Sequence, residues 1–126
     1  MRRSPRWRSS RAERLEAAQV TAIGAFERAT VGWFDRAAKQ YRRIPVDEQC
    51  EVLSLIGDVA EGQDGPILNV HVVLGPSDGT TRGGHLLEGQ VFPTLEVVVT
   101  ETPAELRKVM HPDLGIALID LERSES

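Results

Sequence analysis

Past residue 18 the apolar side chains of this protein come in short β-branched runs cut by turn residues. That spacing suits a sheet far better than a bundle of helices. Strands are expected at 19–26, 29–34, 40–44, 51–60, 67–74, 81–86, 91–100 and 116–121. Asp78-Gly79 is a hairpin turn joining the strand at 67–74 to the one at 81–86. Pro93 places an edge or a bulge near the start of the strand at 91–100. Two short helices complete the reading. One lies near 10–18, with Ser10 as N-cap and Glu13 three residues on. The other runs from Thr102 to about Met110, with Thr102 as N-cap and Pro103 at its first position. Consecutive strands joined by short turns favour an antiparallel sheet, so the expected class is α+β, mainly antiparallel β with one or two short helices. No phosphate-binding loop is present, because Gly83-Gly84 is not followed by Lys-Ser/Thr and opens no helix. No nucleophile elbow occurs either.

The charges divide the chain unevenly. Residues 1–14 carry six arginines and one acid, whereas the other 112 residues carry nine basic and eighteen acidic side chains. Nucleic-acid affinity depends on neutralising phosphates, so only the arm qualifies as a nucleic-acid surface, and the acidic body does not. Within it Arg2, Arg3, Arg6, Arg8 and Arg11 are the candidate phosphate-binding residues. No apolar segment follows these arginines, so the arm is no secretory leader. No apolar run approaches the about 20 residues of a membrane span. Cys50 is the single cysteine and sits in an apolar run; a buried thiol in a reducing, cytoplasmic compartment is expected. The expected organisation is a basic arm at 1–16, one domain at 17–121 and a polar tail at 122–126.

One constellation carries chemistry. Asn69 and His71 are two apart in a strand and therefore share a face, with Leu68, Val70, Val72 and Leu74 on the other. The hairpin brings Gly83-Gly84-His85 beside them, and two glycines allow a neighbouring backbone to come close. Asn69, His71 and His85 are thus expected around one point. Two histidines on one strand plus a third would make a zinc site, but a neutral amide stands at Asn69 and binds zinc poorly. His71 and His85 are the candidate metal ligands, and Glu96 could supply an oxygen or hold an imidazole. His111, in a turn-like stretch before Pro112, reads as solvated.

The run from Gly65 to Gly75, then Asp78-Gly79, Gly83-Gly84-His85-Leu86 and Pro93-Thr94-Leu95-Glu96-Val97 resembles the plant and prokaryote conserved (PPC) domain. Gln19–Ala25 and Glu51–Gly57 resemble it as well, so the likeness spans about 17–121. The resemblance implies a compact domain assembled as a homotrimer. In plants such domains follow an AT-hook in nuclear DNA-binding proteins and mediate self-association. Some prokaryotic relatives bind a metal through three histidines, and the fold is similar to that of a zinc decarboxylase. Carried over, the family's His-x-His falls on Asn69 and His71, and its Gly-Gly-His on Gly83, Gly84 and His85. Two departures stand out. Asn69 replaces a ligand-type histidine, and the strand and helix that precede the Gln19 segment in the family are expected to be shortened here. The arm also lacks the Arg-Gly-Arg-Pro core of an AT-hook.

Two functions follow. The first is a homotrimeric binding and assembly module, associated with DNA or acidic partners through its arms and not an enzyme. The alternative is a metal-dependent small-molecule binder or enzyme using a degenerate three-histidine site, with zinc as the implied cofactor.

Overall fold

The computed structural model describes residues 17–101 and 108–120. Seven strands follow in order: β1 Ala17–Asp35, β2 Gln40–Val46, β3 Cys50–Gly62, β4 Gly65–Gly75, β5 Arg82–Glu101, β6 Lys108–His111 and β7 Ile116–Ile119. All pairings are antiparallel. The large sheet has the order β2-β1-β3-β4-β5, and β5 also pairs with β1, so the sheet closes on itself. Closure leaves both long strands without a free edge where they pair, which removes an aggregation hazard. β2 joins the second half of β1, and β6 with β7 form a separate two-stranded ribbon.

Alternation along the strands fills the interior. Val20 and Ala22 of β1, Leu55 and Val59 of β3, Val70, Val72 and Leu74 of β4, and Leu86 of β5 pack around the buried Phe26, Val31, Val46 and Cys50. The Cys50 thiol is buried as expected, and burial, followed by nearby Glu48, pushes its pKa up.

Several expectations are corrected. Among the described residues there is no helix. Ala17 and Ala18 begin β1, and Lys108–His111 is a strand because β7 offers it a partner, with Val109 opposite Leu118. The remainder of both expected helices lies outside the described residues. The runs at 19–26 and 29–34 belong to one 19-residue strand. Register shifts at Phe26 and Arg28 let β1 pass the exposed Glu27-Arg28 pair without ending. The runs at 81–86 and 91–100 likewise belong to one strand, β5. The bulge expected near Pro93 is present: Gly24 faces Leu95 while Phe26 faces Val91.

The Asp78-Gly79 turn forms as read. Gly79 adopts a positive φ of 81°, and its N–H donates to the Pro76 carbonyl at 3.3 Å. Asp78 Oδ1 accepts from the Thr80 hydroxyl at 2.6 Å and the Thr80 N–H at 3.0 Å, and these bonds hold its carboxyl below the usual range.

Candidate functional site

The hairpin sets His71 directly opposite His85. Both side chains therefore leave the same, outer face of the sheet, and their rings meet edge-to-face at 5.5 Å. Gly83 and Gly84 make this possible. A β-carbon at Gly83 would come within 2.8 Å of the Val72 carbonyl oxygen on β4, and one at Gly84 within 2.6 Å of the Gly32 carbonyl oxygen on β1. The strand start is thus wedged between two backbones, and only glycine fits.

A third ring completes the group. Tyr41 of β2 stacks on His85 at 4.7 Å and 27°, and Phe34 meets Tyr41 edge-on at 5.2 Å. β1 lies between β2 and β5, so Tyr41 must reach across it. It does so over Gly32, which faces both Arg43 and His85; a β-carbon there would sit 2.9 Å from Tyr41 Cδ1. Tyr41 is half-buried, and desolvation raises its pKa.

Asn69 lies one pleat along from His71 and opposite Asp58 of β3. Asp58 is reached by Lys108 of β6, only 7% exposed, whose Nζ stands 2.9 Å from Oδ1. The contact is an ion pair rather than a directional hydrogen bond, since Oδ1 has no aligned donor. Desolvation lowers the His85 pKa, and the charges of His71 and Lys108 lower it further. His85 Nδ1 is buried with no hydrogen-bond partner among the described residues.

That depression sets a pH dependence. The folded state keeps His85 neutral to lower pH than the unfolded chain, which titrates near 6.5. Below that value the unfolded state binds more protons, so stability falls with falling pH until the folded pKa is passed, and is unaffected by this group above it. The thermal midpoint is expected to drop between pH 7 and pH 5.5. A His85→Phe variant is expected to show a smaller drop, read by circular dichroism; an equal drop would show that His85 is not responsible.

The candidate residues fall out as follows. His71 and His85 are brought together, with Asn69 beside them. Glu96 is not: it faces Ile23 on β1, with β1 and β3 between it and β4, three strand spacings of about 4.8 Å from His71. His111 is half-buried at the end of β6, where its carbonyl accepts from the Leu114 and Gly115 N–H groups. Arg2, Arg3, Arg6, Arg8 and Arg11 lie outside the described residues. Among the described residues no three His, Cys, Asp or Glu side chains converge on one point. Two imidazoles with an amide and a neighbouring ammonium therefore fall short of a zinc centre within one chain.

A cross-strand row links the pair to an apolar surface. On the outer face Val98 of β5 lies opposite Thr21 of β1, Thr21 opposite Ile56 of β3, and Ile56 opposite His71. Ile23 at 61%, Leu53 at 54%, Ile56 at 58% and Val98 at 62% exposure line one shallow depression of this face, with Glu96 at its rim.

Comparison with known proteins gives the same architecture. A Pyrococcus horikoshii plant- and prokaryote-conserved (PPC) protein superposes with a TM-score of 0.84 at 28% identity, over 95% of this chain and 87% of that one. A Bacteroides thetaiotaomicron protein, described as a candidate DNA-binding protein, gives 0.83 at 27% identity, over 90% and 79%. A metal-containing protein from Archaeoglobus fulgidus gives 0.78 at 29% identity, over 94% and 88%. Among curated proteins, the bifunctional protein GlmU of Synechococcus sp. (strain JA-2-3B'a(2-13)) is 31% identical over 116 residues, 90% of this chain. The chain spans 17% of that relative's length. The Plants and Prokaryotes Conserved (PCC) domain model matches residues 8–103, three quarters of the protein and all of the strands that carry the site, and the chain belongs to that family.

Proposed function

We propose that the chain is an assembly and binding module: copies meet through the outer sheet face as a homotrimer and together present their basic arms to DNA. The observation that carries this reading is the row of half-exposed apolar side chains at Ile23, Leu53, Ile56 and Val98. A contiguous apolar patch on a sheet is the mark of a surface meant to be covered. In a threefold ring each copy covers part of its neighbour's patch and the contacts close. Three weak arms on one particle gain avidity that one arm lacks. The Bacteroides neighbour's description supports the nucleic-acid part of the reading. No helix among the described residues is long and apolar enough to cross a membrane.

The arm is tested by binding to duplex DNA against salt. Each phosphate neutralised contributes a slope of about 0.9 in log affinity against log salt. Replacing Arg2, Arg3, Arg6, Arg8 and Arg11 by Gln is expected to weaken binding and flatten that slope by about 3 or more. Binding indifferent to salt and to the arm would end this part of the proposal.

A second reading is favoured by the unpartnered His85 Nδ1 and by the metal-containing Archaeoglobus neighbour. Here His71 and His85 hold a metal weakly and Asn69 occupies the position of a third ligand. An Asn69→His variant is then expected to retain zinc through gel filtration where the native chain releases it, measured by elemental analysis of untagged protein. Loss of zinc from both would retire the reading.

A further inference from the structure

Outside the arm the chain is acidic, but its few basic residues are not scattered. Residues 36–43 (RAAKQYRR) carry four basic side chains and no acid, whereas residues 44–126 carry four basic and fifteen acidic ones. The structure gathers this cluster on the hairpin of β1 and β2, at the outer edge of the sheet. Trp33 and Arg42 are cross-strand partners, so both side chains stand on one face. Trp33 is 54% exposed, and the Arg42 guanidinium lies 4.9 Å above its ring. Arg36 and Lys39 occupy the turn just beyond.

The turn is held in shape. Asp35 Oδ1 accepts the Ala37 and Ala38 N–H groups at 3.0 and 3.2 Å, and Lys39 takes a positive φ of 55°. The tip rests on the β6–β7 turn, where Lys39 Nζ donates to the Pro112 carbonyl at 3.5 Å. Against Arg36, Lys39 and Arg42 stand Asp35 and, in the turn that Lys39 contacts, Asp113 after Pro112, so the cluster keeps one net positive charge. Asp35 stands 3.9 Å from Arg42, a distance that neutralises it only in part. Glu88 takes Arg43 at 3.3 Å on the opposite face of the hairpin, so Arg43 is excluded from the cluster.

An exposed indole under one guanidinium, with two further exposed cations in the adjoining turn, matches the chemistry of a nucleic-acid strand: cations for phosphates, a π-face for a base or sugar. We propose that Trp33, Arg36, Lys39 and Arg42 form a nucleic-acid contact on the domain itself, separate from the arm. The proposal extends the DNA-binding reading above but does not depend on the arm.

The sequence provides its own reporter. The chain holds two tryptophans, Trp7 and Trp33. In the full-length chain carrying Trp7→Phe, Trp33 alone fluoresces. The test uses that chain with Arg2, Arg3, Arg6, Arg8 and Arg11 replaced by Gln, titrated at low salt with a mixed-sequence duplex and with one of its single strands. Trp33 emission is expected to change on titration. The salt slope for the duplex is expected to fall by about 2 when Arg36, Lys39 and Arg42 are also replaced by Gln, at near 0.9 for each phosphate no longer neutralised. A stronger response to duplex assigns the contact to backbone phosphates, and a stronger response to single strand assigns it to stacking on Trp33; either supports the proposal. No binding by the arm-replaced chain, or an unchanged slope in the triple variant, overturns it. In the first of these outcomes the arm reading stands alone; binding that survives arm replacement and disappears in the triple variant leaves the hairpin alone. All three positions are exposed, and an unchanged circular dichroism spectrum shows that the variant folds.

Discussion

A Gly84→Ala variant is expected to lose about 3 kcal/mol of stability, a large share of the 5–15 kcal/mol typical of a domain. The added methyl would meet the Gly32 carbonyl oxygen at 2.6 Å. That atom belongs to the backbone of a paired strand and cannot rotate away. On its other side β5 is pinned by Gly83 against the Val72 carbonyl oxygen. Shifting β5 to relieve the clash would break the pairing of His85 with His71 and open the sheet where it closes. Gly75→Ala is the control. The atoms nearest its β-carbon belong to the Leu53 side chain, at 3.0 Å and beyond, and a flexible leucine can yield. The control is expected to cost no more than about 1 kcal/mol. Urea unfolding midpoints compare the two, and equal midpoints would show that the close approach is not what holds the junction.

An Ile56→Glu, Val98→Glu double variant is expected to remain folded and to stop self-associating. Both side chains are more than half exposed in the single chain, so charge there costs the fold little. In an assembled face the same carboxylates would be desolvated, at a cost of several kcal/mol for each buried charge. Light scattering is expected to report the single-chain mass of 13.9 kDa for the variant. A variant that still assembles would move the interface elsewhere. His71 is the next residue along the row from Ile56, so covering this face would also place the histidine pair at the border between subunits.

The parts of the fold legible in the sequence are those set by local chemistry. The run at 67–74 and the Asp78-Gly79 turn fix the β4–β5 hairpin, and with it the pairing of His71 and His85. Gly83-Gly84 announces a close approach and delivers one. The parts that escaped are set by distant partners. Thr102-Pro103 and Glu105 read as a helix start, yet Lys108–His111 is a strand because Ile116–Ile119 lies alongside it. Glu27-Arg28 reads as a break, yet bulges carry β1 through it. Tyr41 reaches His85 only because Gly32, nine residues earlier in the chain, leaves a gap on the strand between them. Lys108 pairs with Asp58 fifty residues away, where no spacing rule could point. The acidic average of the body also concealed the basic β1–β2 hairpin, because net charge carries no information about position.

Sedimentation equilibrium of the 126-residue chain decides whether three copies assemble. A particle of three times 13.9 kDa that persists on dilution to micromolar concentration is expected. A single species at 13.9 kDa at the same concentrations would mean that the apolar face does not join copies of this chain.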